Sequence, residues 1–330
     1  MLNKIRGVIY GQALGDAMGM PAELWSRRKT LATLGEITTF LDGPQENEVS
    51  RNYKAGQFTD DTAQALVILD SLFATNFIPN SMNIAQSLLQ WANDNNAFAC
   101  NILGPTSKAT LEAVRDNKDT KHISDTALSN GAAMRIPIIG ALFDGSNLEN
   151  IADYVQKISC VTHSSDITIA SASIVACAVS LAIKLGDPKL AVTQALTIES
   201  YALSLGAETF SPSISSRVTL GIDYANKFKD DKQAFLDFVY NVIGTGVCAC
   251  ESVATALLIA YYATNPNECA LLCANLGGDT DTIGAIATAI SGGAYGFDSI
   301  DKTSIDILVQ QNDVDFEHYV QLIYNHKKIG

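Results

Sequence analysis

Two short runs hold residues whose types and spacing can do chemistry: Phe58-Thr59-Asp60-Asp61-Thr62 and Gly277-Gly278-Asp279-Thr280-Asp281-Thr282. Each stands directly before an apolar helical pattern, AQALVILDSLFA after the first and IGAIATAISGGAYG after the second. Taken singly, either run reads as a helix start, because Thr and Asp are favoured N-caps and first-turn acids complement the helix dipole. Taken together, they offer Asp60, Asp61, Asp279 and Asp281 with hydroxyls beside them, more than capping requires. Carboxylates clustered this way repel one another unless they hold cations. Hard oxygen donors suit Mg2+, Mn2+ or Ca2+ better than zinc. Two such ions would neutralise the set and offer a template for an oxygen-rich substrate. Gly277 and Gly278 let another backbone come close. Spacing alone leaves open whether the two runs meet.

The elements that must position these acids are helices. Apolar periodicity at helical spacing covers most of the chain, with segments at 2–18, 62–76, 81–95, 131–143, 166–185, 188–205, 250–263 and 282–296, and strand-like alternation is nearly absent. Brief polar turns such as Gly186-Asp187-Pro188 join them. The pattern predicts an all-α fold, one compact multi-helix domain over residues 1–330 with no linker or repeat. The stretch from 24 to 57 lacks periodicity and reads as a long irregular loop bordering the site entrance. Gly11, Gly15 and Gly19 recur every four residues, so one helix face is smooth enough for tight packing beneath a site.

Composition excludes several classes of partner. The chain has 330 residues, 47% of them hydrophobic, and a net charge of −13. Such acidity argues against nucleic-acid backbone or anionic lipid as a partner. Seven scattered cysteines read as free buried thiols in a reducing compartment, and no His lies near Cys248-x-Cys250 or Cys269-x3-Cys273 to complete a zinc set. The N-terminal run has no apolar core of signal-peptide type, since Gln12 and Asp16 interrupt it. Ile167 to Ile183 is uncharged but short of a span, and reads as a buried core helix. A cytoplasmic monomer is the expectation, with export as an effector left open.

Further runs carry a resemblance. GQALGDAMGMPAE (11–23), FTDDTAQAL (58–66), NGAAMR (130–135), VTHSSD (161–166) and NLGGDTDTIGAIATAISGGAYG (275–296) resemble the ADP-ribosylglycohydrolase family, in the family's order and over nearly the whole chain. Members include ADP-ribosylarginine hydrolases and the dinitrogenase reductase-activating glycohydrolase. The resemblance implies a single all-α domain with a two-metal centre of Mg2+ or Mn2+. By motif, Thr59, Asp60, Asp61, Asp279, Asp281 and Thr282 are the expected metal ligands, with Glu23 an acid near the metals. Asn130, Gly131, Ala132, Met134, Arg135 and His163 are the expected ADP-ribose contacts. Without the motif, Asn130 is a reasonable N-cap and His163 a satisfied core residue. Asp16 is read either as reaching the site or as a structural hydrogen-bonding group. His122, His318 and His326 carry no motif and are expected at the surface.

The resemblance also implies a reaction, the cleavage of the glycosidic bond at C1″ of a terminal ribose by water. Asp60 or Asp61 is the expected water-orienting base, with Glu23 the other candidate. An ADP-ribosylated protein or small ADP-ribose conjugate is the implied partner. A protein-arginine linkage is favoured over serine or small-molecule O-glycosides. Two other classes stand beside this one: a non-catalytic ADP-ribose binder that blocks a transferase, and a helical scaffold whose acids only cap.

Overall fold

Residues with little or no side chain decide the central contact. In the computed structural model, which describes residues 1–100 and 102–329, the helix Leu2–Gly19 runs antiparallel to the helix Thr280–Tyr295. A Cβ placed on Gly7, Gly11, Gly15 or Gly19 would strike the backbone carbonyl of Gly292, Thr288, Gly284 or Thr280 respectively. The two four-residue repeats therefore mesh backbone to backbone. Gly19 thereby abuts Thr280, and the chain leaving the first helix toward Glu23 passes beside Asp279 and Asp281. Substituting any of these glycines forces the helices apart.

Around this pair the fold is helical, and among the described residues pairing between extended segments is limited to three isolated bridges. Asp166–Leu185 is the largest buried helix. It is long and apolar enough to cross a membrane, yet every residue from Ile167 to Ile183 is packed inside the protein. Ser165 caps its start through the Thr168 N–H, and Gly186 closes its end in the left-handed conformation. Ala249–Tyr262 is the other strongly apolar helix.

Several expected elements are revised. The 131–143 segment is two single turns, Gly131–Met134 and Pro137–Gly140, because Pro137 cannot continue a helix. The 188–205 segment divides into Pro188–Ala195 and Glu199–Leu203 around a tighter turn. The 24–57 stretch is not wholly irregular. Ser26 caps a polar helix, Arg27–Leu34, which buries only Thr30 and so shows no apolar stripe. The cysteines are all free, but Cys100 and Cys248 are exposed. His326 is partly covered and stacks on Phe77 with ring centroids 3.9 Å apart, whereas His122 and His318 lie at the surface.

Candidate metal and substrate site

The two acidic runs meet at the N-termini of Asp60–Ala74 and Thr280–Tyr295. Carboxylate oxygens of Glu23, Asp279 and Asp281 lie within 4.8 Å of one another. The Thr282 hydroxyl faces both Asp61 and Asp279, which joins the halves. Asp61, Asp279, Asp281, Thr59 and Thr282 are closed in, while Glu23 and Asp60 keep some surface.

Capping accounts for little of this. Thr59 does cap its helix, accepting from the Asp61 N–H at 3.5 Å. Buried Asp16 takes most of the remaining load. One of its oxygens accepts from the Thr59 N–H at 2.8 Å, the other from the Thr62 N–H at 3.0 Å and the Thr62 hydroxyl at 2.6 Å. Asp16 is thus the structural hydrogen-bonding group, and Asp60 and Asp61 are released from that duty. Asp279 occupies the N-cap position of its helix, yet its side chain caps nothing. Its backbone N–H donates to Thr245 O at 2.8 Å. Gly277 and Gly278, at φ of 82° and 89°, turn the chain so that Gly278 pairs with Leu24 and Trp25. That pairing ties the Asp279 segment to the residues just after Glu23.

The electrostatics disfavour five ionised acids side by side. Burial first, then Asp16, pushes the Asp60 carboxyl up to about 7. Burial raises Asp279 to about 6, against hydrogen bonds from Asn130 and its neighbours. Glu23, Asp61 and Asp281 are held well above the ordinary carboxylate range, by burial and then by the other acids. Asp61 Oδ2 and Asp281 Oδ1 are buried without a hydrogen-bond partner. Buried carboxylate oxygens left without donors are costly. An all-oxygen donor set of this kind fits a hard divalent cation, so the residues present suit the metal centre implied above.

Polar groups at long sequence separation hold the acids in place. Asn130 donates to Asp279 and, at 2.8 Å, to Ser252 Oγ. Gln64 donates to Asp60 Oδ2 at 2.7 Å and accepts from Arg135 Nη1 at 3.1 Å. Arg135 is itself buried, its guanidinium pulled down to about 10 by burial against the pull of Asp60, and it also donates to Thr162. His163 is fully buried, with Nδ1 on Thr162 Oγ1 at 2.8 Å and Nε2 on Ser129 Oγ at 3.0 Å. Burial, then Arg135, lowers its pKa well below 6.5. A Cβ at Gly131 would collide with that ring, and Ala132 and Met134, which follow it in the same turn, are buried. In this structure Arg135 and His163 lie beneath the surface and buttress the acids and the Ser129–Gly131 segment.

Four contributors were not singled out in the sequence. Gln12, wholly buried, donates to Met134 O at 3.0 Å and Asp61 O at 3.3 Å and so ties both site segments to the first helix. Gln64 lies one turn after Asp60, and that spacing is the one signal that could have found it. Asn47 reaches back to Glu23 O at 2.9 Å. Tyr53, from the expected entrance loop, has its phenol pushed up by burial and then by Asp60 and Glu23, which places it beside the acids. A cavity of 310 Å³ lined by Tyr53 opens on Thr59 and Asp60. A larger groove of 760 Å³ lies between Arg27–Leu34 and the helices at 232–238 and 266–274, away from the acids.

These features define an all-helical protein with a buried cluster of carboxylates closed between two helix N-termini. The chain belongs to the ADP-ribosylglycohydrolase family, whose model matches residues 1–327. It is 39% identical over 327 residues to the uncharacterized protein YegU of Escherichia coli (strain K12), covering 98% of this chain and 97% of that one. It is 24% identical to the human ADP-ribosylhydrolase ARH3, covering 92% of this chain and 88% of the relative. It is 22% identical to the ADP-ribosylarginine hydrolase Tri1 of Serratia proteamaculans (strain 568), covering 95% and 77%. A solved ADP-ribosylglycohydrolase-related protein complex shares the fold, with a TM-score of 0.71 at 20% identity over 99% of this chain and 98% of that one.

Proposed function

We propose that this chain hydrolyses the N-glycosidic bond between ADP-ribose and a protein arginine, using two Mg2+ or Mn2+ ions. The observation that carries the reading is the meeting of two acidic helix starts around buried carboxylate oxygens without partners. The Serratia relative, an ADP-ribosylarginine hydrolase, supports the arginine linkage. Thr59, Asp60, Asp61, Asp279, Asp281 and Thr282 would hold the cations, with Glu23 alongside. When bound, they neutralise the acids and fix the ribose hydroxyls.

The chain's own residues divide the remaining work. Asp60 is the better base, because it lines the open cavity while Asp61 is closed in. Gln64 holds one Asp60 oxygen and leaves the other to orient a water and accept its proton. The water oxygen bonds to C1″, the C1″–N pair leaves with the guanidine, and the guanidine regains a proton from solvent. Positive charge growing on the ribose ring is stabilised by the surrounding carboxylates. Asn130, set by Ser252, would hold ADP-ribose beside Asp279.

A second reading rests on Glu23. Its carboxyl, held well above the usual range and partly open, is suited to donate a proton to a serine alkoxide, a poorer leaving group. Defined arginine-linked and serine-linked ADP-ribosyl peptides, assayed with and without chelator, separate the two. We expect chelator-sensitive release from the arginine peptide and a loss on the order of 10²–10⁴-fold in Asp60→Ala. Release from the serine peptide alone overturns the linkage. Undiminished turnover in both Asp60→Ala and Asp279→Ala overturns the hydrolase reading itself.

A further inference from the structure

The cavity beside Asp60 has a chemistry of its own. Its volume of 310 Å³ is at the bottom of the roughly 300–1,000 Å³ range of ligand pockets, room for a side chain and not for a dinucleotide. Thr59 and Asp60 form part of its wall, so anything inside it touches the reacting acids. Tyr53, Phe58 and Trp91 supply aromatic surface, and among the described lining residues Asp60 is the charged one and none is Lys, Arg or His. Asn95 donates one amide N–H to the Trp91 carbonyl at 2.9 Å, and its side-chain oxygen can accept from a cation. Aromatic surface and an amide oxygen, with no basic side chain among the described lining residues, form a receptor for a planar cation.

Position gives that receptor a role. The Asn130 segment meets the acids at Asp279, whereas the cavity meets them at Thr59 and Asp60. A substrate lying across the acids with its nucleotide toward Asn130 therefore extends its other end into the cavity. We propose that this cavity is the acceptor pocket and that Trp91, Tyr53 and Asn95 select a guanidinium leaving group over a neutral hydroxyl one. The assignment rests on the ADP-ribosyl hydrolase reading above, and it makes Trp91 and Asn95 specificity residues contributed by a helix, Ser81–Asp94, and its C-terminal cap.

The test uses the full chain and its Asn95→Lys, Trp91→Phe and Trp91→Ala variants, each checked by thermal melting. Asn95 is exposed at a helix end, so its replacement spares the core even where Trp91→Ala loosens the fold. We expect Asn95→Lys to raise KM for the arginine-linked peptide by about tenfold, with kcat little changed and a smaller effect on a serine-linked peptide. Trp91→Ala should act in the same direction, and Trp91→Phe should retain most of the preference. Equal effects on both peptides, or none, overturn the pocket. A binding arm separates this from the hydrolase reading. The chain has two tryptophans, so in a Trp25→Phe background fluorescence reports Trp91 alone. It is titrated with methylguanidinium and with neutral methylurea. A preference for methylguanidinium in a protein that cleaves neither peptide rejects the hydrolase and keeps the pocket. Cleavage of the arginine peptide without that preference rejects the pocket and keeps the hydrolase.

Discussion

The helix starts at Thr59 and Asp279 look alike in sequence and behave differently in the fold. At the first, Thr59 and Asp16 satisfy the leading N–H groups, so the acids that follow have no capping work. At the second, Asp279 sits at the cap position and caps nothing; its oxygen instead meets Asn130. An acid at a helix N-terminus ordinarily stabilises by serving the backbone. Here one start borrows a carboxylate from another helix, and the other leaves its own acid turned toward the cluster. The difference shows that neither set of acids is occupied in capping its own helix.

Removing the borrowed group should have the largest effect on stability. Asp16→Ala strips the acceptor from two buried N–H groups and one hydroxyl, and should cost roughly 3 kcal/mol of unfolding free energy in chelator. Chemical denaturation measures it, and a cost below about 1 kcal/mol would return the capping role to the local acids.

The next effect lies in pH. Burial raises Asp60 to about 7 and Asp16 and Asp279 to about 6, from 3.8. Between those values the folded state binds more protons than the unfolded chain, so stability must fall as pH rises. Metal-free protein should therefore melt several degrees lower at pH 8 than at pH 5, with the loss beginning near pH 4 and continuing through about pH 7. Saturating Mg2+ or Mn2+ should remove that trend, because the cations favour the ionised acids. A metal-free melting temperature that rises across this window contradicts the cluster's electrostatics.

The smallest effect sharpens the contrast itself. In chelator, Thr59→Ala should cost about 1 kcal/mol through its lost cap, whereas Asp279→Ala should cost less, because shedding a buried charge offsets its lost hydrogen bonds. The latter loses no cap, sheds a repelling charge, and leaves Asn130 on Ser252. Equal costs in denaturant titrations would mean that Asp279 serves its helix after all.

Much of the fold and of the acid cluster is legible in the residues themselves. The long helices follow from apolar periodicity, and the buried 167–183 run follows from its length and hydroxyl content. The site acids are visible because TDDT and GGDTDT are dense in oxygen donors. Arg27–Leu34 is not, because it packs too little apolar surface to leave a periodic signal. The break at 131–143 is marked by Pro137 but outweighed by the apolar run around it. Asn47 and Tyr53 have no local signature, since each is one polar residue among many, and Gln12 shows only as a polar break in an apolar run. Their roles come from partners tens of residues away.

Residue type and spacing suffice to specify an acidic, helical chain with two oxygen-rich helix starts and a four-residue glycine repeat, for all of these are local properties. Packing alone made the repeat mesh with Gly284, Thr288 and Gly292, bringing Glu23 to Asp279 and Asp281. Packing also gave Asp16 the capping duty of a helix it does not belong to. The cause is one of range: helix periodicity is written within one turn, whereas a shared carboxylate cluster exists only once close packing makes its members neighbours.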